Sequence, residues 1–164
     1  MIAWTSGYAT MADPEPYGTG GFATTRVFAA ARDRVWREWT EPESFADWFG
    51  GVDCEVPLST VSMDVRPGGA WRATMFCGPE RRMIRWTGVY REVTAPERLV
   101  FTISDQPGET RYELITVQLT DLGDGRTQML FEQRGHQRPD QYDRAKQGWG
   151  TFFARIDERL AGAS

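Results

Sequence analysis

The stretch VWREWTEPESFADWFGG, residues 35–51, carries five large aromatic side chains, at positions 36, 39, 45, 48 and 49. Its apolar residues recur every three or four positions, which predicts two short helices, each with one apolar face. Pro42 fits the first turn of the second helix, where a missing N–H costs little, and the glycine at position 50 ends that helix. Thr40 and Glu43 also match a capping box at its start. We expect the aromatic faces of both helices to be buried against the rest of the domain.

Outward from this stretch, the apolar pattern changes from helical to alternating. It predicts a first strand over residues 22–30 and about six strands after the two helices, joined by turns such as the Asp124-Gly125 hairpin. After Pro139, apolar residues again recur at spacings of three and four, which predicts one long helix of roughly twenty residues. Strands joined in series by short turns form an antiparallel sheet, and the long helix can cover its apolar face. The predicted fold class is therefore α+β, with a sheet of about six to seven strands.

Length and composition indicate one globular domain. The chain has 164 residues, of which 40% are hydrophobic and 26% charged. Residues 1–20 are rich in Gly, Pro, Ser and Thr and are predicted to form an N-terminal leader, while residues 21–164 form a single domain. The net charge of −4 argues against a nucleic-acid partner.

The location of the protein is predicted from what the sequence lacks. No apolar run reaches the length of a membrane span, and the start has no secretory signal, so we expect no membrane partner and a cytoplasmic protein. Cys54 and Cys77 are far apart and belong to no CxxC motif. We expect them to be free thiols in a reducing cytosol, although a disulfide between them is possible.

An ordered set of short motifs runs through residues 22–160. Its members are Arg26, Ala30, Val35-Trp36, Thr40-Glu41-Pro42, Trp48-Phe49, Pro67-Gly68-Gly69, TGVYREVTAPERLVFT at 87–102, and Gly148-Trp149. This set resembles the AHSA-type domain family, named after the activator of the Hsp90 ATPase, within the START-related, birch-pollen-allergen-like (SRPBCC) superfamily. The resemblance implies a helix-grip fold, in which a curved sheet wraps around the long C-terminal helix and leaves an apolar cavity between them. The family often has a His near the end of the last strand, where this chain has Gln133.

Candidate ligand-binding residues come from the inward faces of the strands and from the long helix. The register leaves two alternatives open, because either Trp86 or Thr87, and either Tyr112 or Ile115, could point inward. Apolar residues with a few polar tips are typical of a small-molecule pocket. The predicted ligand-binding residues are Trp71, Met75, Tyr90, Phe101, Tyr112, Met129, Phe131, Gln133, Trp149 and Phe153.

Two glycines flank Trp149 in the long helix, Gly148 and Gly150. A glycine in a helix interior destabilises the helix by roughly 1 kcal/mol relative to alanine, so we expect that packing or function requires a glycine at each of these positions. We favour close packing of the helix against the sheet, and the alternative is that the missing side chains leave volume for a ligand.

The remaining chemical groups match no known catalytic motif. His136 lies in a polar loop and is predicted to be a surface residue. The chain contains no HExxH, CxxC, GxSxG or P-loop pattern, so we predict no metal and no cofactor and assign no catalytic residue. The charged strand residues are expected to form cross-strand pairs on the solvated face of the sheet, namely Arg72, Arg85, Glu113, Glu132 and Arg134.

Three functions fit these observations. The leading hypothesis is a binding protein that holds a small apolar, aromatic or lipid-like molecule in an internal cavity. The second is a cofactor-independent enzyme of cyclase or aromatase type, similar to polyketide cyclases and dehydratases, since such catalysis can rest on positioning alone. The third is a chaperone-interacting module, as the family name implies. Exposed strand edges could in addition pair two copies of the chain into a homodimer.

Overall fold

The computed structural model describes residues 20–106 and 112–162, so the predicted leader lies outside the described residues except for Gly20. The described part contains eight strands, three α-helices and one short 3-10 helix. In chain order these are β1 (Gly20–Phe28), α1 (Arg32–Thr40), α2 (Pro42–Trp48), β2 (Cys54–Glu55), the 3-10 helix (Leu58–Thr60), β3 (Ser62–Met63), β4 (Ala70–Cys77), β5 (Arg82–Thr94), β6 (Arg98–Ile103), β7 (Glu113–Asp121), β8 (Thr127–Gly135) and α3 (Pro139–Gly162).

All strand pairs are antiparallel, and the sheet has the order β1-β8-β7-β6-β5-β4-β2, with β3 also paired to β4. With the two short helices after β1 and the long helix α3 at the end, this is the predicted α+β helix-grip fold. The strand count exceeds the prediction by one because β2 is only two residues long, and β3 is likewise shortened to two residues. The segment before β3 is a 3-10 turn, in which the Thr60 hydroxyl donates to Pro57 O and accepts from Thr74 N. Such local side-chain bonds compete with strand pairing.

The aromatic residues of α1 and α2 form the centre of the hydrophobic core. Trp39, Phe45, Trp48 and Phe49 are all buried, whereas Trp36 is only partly covered. The Trp39 and Trp48 rings meet edge to face with centroids 4.8 Å apart, and Trp48 Nε1 donates to Glu38 O at 2.7 Å. The rings are thus buried against one another. The Trp48 N–H has a partner, whereas Trp39 Nε1 has none among the described residues.

The capping box predicted at Thr40 is not formed. Thr40 is the last residue of α1, and its hydroxyl donates to Trp36 O at 2.9 Å. Pro42 occupies the first turn of α2 as expected, but the N-cap residue is Glu41. The helix boundary therefore lies one residue later than the Thr40–Glu43 spacing suggests.

Cys54 and Cys77 form a disulfide, so the prediction of free thiols is wrong. The two residues lie directly opposite each other in β2 and β4, with their Cα atoms 4.2 Å apart. The sequence does not reveal this pairing because β2 is too short to show an alternating pattern. Disulfides persist mainly in oxidising compartments, so this bond does not support a cytoplasmic location, which stays a prediction. Within the described residues, no helix is long and apolar enough to span a membrane.

Candidate functional site

A pocket of about 430 Å³ lies between the sheet and the N-terminal part of α3, residues 139–152. Its sheet side is the region where the end of β6, the start of β7 and the end of β8 meet, flanked by Trp86 of β5. Glu113 and Gln133 are buried and form its polar floor, beside buried Trp149, while Asp105, Gln106 and Gln137 are exposed at its mouth. The rest of the lining consists of Phe49, Trp86, Ile103, Ser104, Tyr112, His136, Gln141, Ala145, Gly148 and Phe152.

The carboxylate of Glu113 is held by three donors on the pocket floor. Tyr142 Oη donates to Glu113 Oε1 at 2.8 Å, and Gln133 Nε2 donates to the same oxygen at 3.1 Å. The backbone N–H of His136 donates to Oε2 at 3.0 Å. A buried carboxylate needs such partners, because it otherwise loses its hydration without compensation.

The hydrogen-bond network continues from Glu113 to α3. Trp149 Nε1 donates to Gln133 Oε1 at 2.9 Å, so the Gln133 amide uses one donor and one acceptor to join the helix to the carboxylate. Burial raises the pKa of the Tyr142 hydroxyl well above its usual value, and the neighbouring Glu113 adds to this rise. Tyr142 therefore stays protonated and continues to donate to Glu113.

Strand register and one glycine place the Glu113 side chain inside the fold. Glu113 pairs with Ile103 of β6, and the β7–β8 register puts it beside Gly135. A Cβ atom at Gly135 would overlap the Glu113 carboxylate. The absence of a side chain at position 135 therefore provides the space that the buried carboxylate occupies.

Four aromatic rings form the apolar wall of the pocket. Phe49 contacts Trp86, Trp149 and Phe152, with centroid distances of 6.1, 6.0 and 5.6 Å. The Trp149 and Phe152 centroids are 5.4 Å apart. The rings belong to three separate parts of the chain: the end of α2, the strand β5 and the helix α3.

The two glycines of α3 do not pack closely against the sheet, contrary to the reading we favoured. A Cβ atom at Gly148 or at Gly150 would meet no atom within 4 Å beyond its own helix. Gly148 lines the pocket, one helical turn from Ala145, whereas Gly150 is not part of the lining. At Gly148 the alternative reading, volume left beside the Trp149 indole, describes the observed geometry.

The structure divides the ten predicted ligand-binding residues into two groups. Gln133, Trp149 and Tyr112 line the pocket. The other seven are buried in the hydrophobic core and do not line it: Trp71, Met75, Tyr90, Phe101, Met129, Phe131 and Phe153. Burial raises the pKa of the Tyr90 hydroxyl, which therefore stays neutral in this core. A role in ligand binding stays a prediction for all ten.

The open choices of register are resolved on both strands. Trp86, not Thr87, points inward, and its ring contacts Phe49. Ile115, not Tyr112, is in the main core. Tyr112 packs with Val100 and Leu114 in a separate cluster, accepts a hydrogen bond from Arg91 at 2.9 Å, and reaches only the rim of the pocket.

Two pocket residues contradict the expectation of a solvated position. Glu113 was expected on the exposed face but is buried. Side chains two residues apart in a strand point to the same face, so Glu113 points inward together with Ile115. His136 was expected at the surface but is half-buried, and its Nε2 atom has no hydrogen-bond partner among the described residues. Trp86 Nε1 is likewise buried without a partner there. Arg72 and Arg85 are exposed as predicted, but the ion pair of Arg134, at 3.5 Å, is with Glu132 of the same strand and not across strands as expected.

The site offers acid–base groups and hydrogen-bonding groups rather than a set of metal ligands. Within residues 20–106 and 112–162, no three His, Cys, Asp or Glu side chains are grouped as a metal ion would require. The described lining contains two carboxyl groups, Glu113 and Asp105, and one imidazole, His136.

The chain belongs to the family described as "Activator of Hsp90 ATPase homolog 1-like protein", whose model matches residues 29–161. The resemblance drawn from the motifs is thereby confirmed. No curated protein matches the chain.

Solved structures of similar proteins agree with the fold. A protein of Nitrosomonas europaea shares 26% identity, with a TM-score of 0.73 over 87% of this chain and 95% of that chain. The AHSA1 protein of Silicibacter pomeroyi is 18% identical, with a TM-score of 0.77 over 88% of this chain and 100% of that chain. A Chromobacterium violaceum protein is 22% identical, with a TM-score of 0.74 over 85% of this chain and 96% of that chain.

Proposed function

We propose that this protein binds a small organic molecule in the pocket between α3 and the sheet. The observation that carries the proposal is the combination of an aromatic wall with a buried polar floor around a volume of about 430 Å³. Ligand pockets typically measure about 300–1,000 Å³ and combine apolar walls with a few well-placed polar groups. The pocket matches that description in both size and chemistry.

The geometry supports a site that is already formed before a ligand enters. Trp149 is held by Gln133, and Gln133 by Glu113, so the floor is fixed by hydrogen bonds at 2.9 and 3.1 Å. The wall rings contact one another. A preformed site keeps most of its binding free energy, because little side-chain entropy is lost on binding.

The two open glycines of α3 provide a matched test. Gly148→Phe would project a ring into the pocket, whereas Gly150→Phe adds the same ring to the same helix outside the lining. The wild-type chain is screened against a panel of apolar, aromatic and lipid-like compounds by thermal shift, and hits are measured by calorimetry. We expect Gly148→Phe to weaken hits at least about tenfold, a loss of roughly 1.4 kcal/mol, and Gly150→Phe to leave them unchanged. Equal binding to the wild type and both variants would refute the proposal.

An enzyme is the second candidate, favoured by one observation. Glu113 and His136 are two ionisable residues that line the same pocket. A positioned carboxylate or imidazole can take up or return a proton during a cyclisation or dehydration of a bound chain. Product analysis with a polyketide-like chain separates the two functions: cyclised product that is lost in Glu113→Ala and kept in Arg72→Ala favours the enzyme, and unchanged compound favours binding alone.

The remaining predictions are independent of the pocket. A pull-down with the chaperone tests the third hypothesis, a chaperone-interacting module. Sedimentation of the full chain tests the homodimer. Cell fractionation tests the cytoplasmic location. The redox state of Cys54 and Cys77 in the isolated protein is a second test, because disulfides persist mainly in oxidising compartments.

A further inference from the structure

We propose that the pocket selects an organic cation, namely a protonated amine or a quaternary ammonium group on an apolar body. The proposal rests on the binding function proposed above and names the chemical class of its ligand. Three observations carry it: the sign of the charges on the lining, the partners of the buried carboxylate, and the rings of the wall.

The described lining contains carboxylates that no Lys or Arg of the lining balances. Its carboxylates are Glu113 and Asp105, and none of its described residues is Lys or Arg. This is not a result of scarcity, because the chain has 19 Lys and Arg residues. Arginines on neighbouring elements pair with acidic groups outside the lining, as in Arg155 with Asp47 and Arg138 with Asp140. Arg134 also lies outside the lining and pairs with Glu132, although its charge still acts on the Tyr142 hydroxyl.

The buried carboxylate keeps its attraction for a cation. The three groups that donate to Glu113 are a phenol, an amide and a backbone N–H, all of them electrically neutral. They satisfy its oxygens without cancelling a negative charge. In a buried site of low effective dielectric, such a charge acts over several ångströms more strongly than it would in water. A cation entering the pocket therefore gains attraction without direct contact to Glu113.

The rings of the pocket wall also attract a cation. The faces of Trp and Phe rings carry negative electrostatic potential and attract ammonium groups within about 6 Å, with Trp the strongest. The pocket presents two indoles, Trp86 and Trp149, beside Phe49 and Phe152. Rings and carboxylates together favour an ammonium group over a neutral one, and both disfavour a carboxylate or phosphate.

Three matched compounds test the charge preference at constant body shape. They are phenylbutylamine, phenylbutanol and phenylbutyrate, titrated by calorimetry into the full chain at neutral pH. We expect the amine to bind at least about tenfold more tightly than the alcohol, and the acid to bind most weakly. Benzyltrimethylammonium, which cannot donate a hydrogen bond through its nitrogen, should bind as well, because rings and charge carry the recognition.

Two variants locate the source of the preference. Glu113→Gln should reduce the amine-to-alcohol ratio to within about threefold, because it removes the charge and keeps the size. Since that change alters the hydrogen bond from His136, Phe152→Leu serves as an independent variant outside the Glu113 network. It should weaken the amine about fivefold and the alcohol much less. Thermal unfolding of each variant without ligand verifies that it is folded.

The outcomes distinguish the two proposals. If the alcohol or the acid binds as tightly as the amine, and Gly148→Phe blocks that binding, cation selection is refuted and the ligand site stands. If none of the three compounds binds, cation selection is also refuted, and the compound panel on Gly148→Phe and Gly150→Phe decides the ligand site separately.

Discussion

The two parts of helix α3 lie against the same sheet and differ in what they leave between helix and sheet. The C-terminal part, residues 153–162, places Phe153, Ile156 and Leu160 in the core, where they are buried. The Phe153 ring lies 5.1 Å from that of Phe131, measured between centroids. The N-terminal part, residues 139–152, buries Tyr142 and Trp149 but also places smaller or polar side chains at positions 141, 145 and 148, and a pocket lies there.

The difference shows that side-chain volume, not the helical pattern, decides where this fold is solid. Both parts keep the spacing of three and four residues that orients a helix face toward a sheet. In the C-terminal part that face carries large apolar groups, which fill the space to the density of a protein interior. In the N-terminal part Tyr142 and Trp149 are buried as well, but Gln141, Ala145 and Gly148 between and beside them leave part of the space unfilled. Three substitution experiments test this contrast, from the largest expected effect to the smallest.

Adjacent phenylalanines on α3 provide the strongest test. Phe153 is buried in the core, whereas Phe152 is half-buried on the pocket wall. Phe153→Ala should lower the free energy of unfolding by about 3–5 kcal/mol, because it leaves a cavity among packed rings. Phe152→Ala should lower it by no more than about 2 kcal/mol, because its side chain already borders open space. Urea unfolding measures both, and equal losses would contradict the contrast.

Gly135 tests whether the buried carboxylate depends on a missing side chain. Gly135→Ala should lower the free energy of unfolding by about 1–3 kcal/mol, because the new Cβ atom overlaps Glu113. Gly135 does not have a positive φ, so the backbone itself accepts alanine. In a Glu113→Ala background the same substitution should have much less effect, and urea unfolding of the wild type, the two single variants and the double variant gives the coupling between the two sites. Additive losses would show that Glu113 is not the group displaced.

The smallest expected effect is a gain in stability. Gly148→Ala should raise the free energy of unfolding by up to about 1 kcal/mol, since alanine favours a helix and the new methyl group enters open space. Gly150→Ala, which has equally free surroundings, is the control and should give a similar gain. A loss of stability in Gly148→Ala alone, measured by thermal unfolding, would mean that the helix packs more closely there than the geometry indicates.

The extent of successful prediction varied with how local the determining interaction is. The long helix after Pro139 and the alternating strands of residues 127–135 were predicted correctly because periodicity is a property of neighbouring residues. The Cys54–Cys77 disulfide was missed because it depends on the pairing of a two-residue strand. The burial of Glu113 was missed because the register of β7 was left open between Tyr112 and Ile115. A choice of Ile115 would have pointed Glu113 inward, so a signal was present for that residue.

By itself, the sequence determined the class of fold, the order of its longer elements and many residues of the core, because these follow from apolar spacing along the chain. Only the tertiary structure decided which of the inward residues border a pocket. Gln133, Trp149 and Glu113 meet across β7, β8 and α3 through hydrogen bonds between residues 16 and 20 positions apart. The volume beside them depends on how far apart the helix and the sheet lie at Gly148, a distance set by the packing of the whole domain.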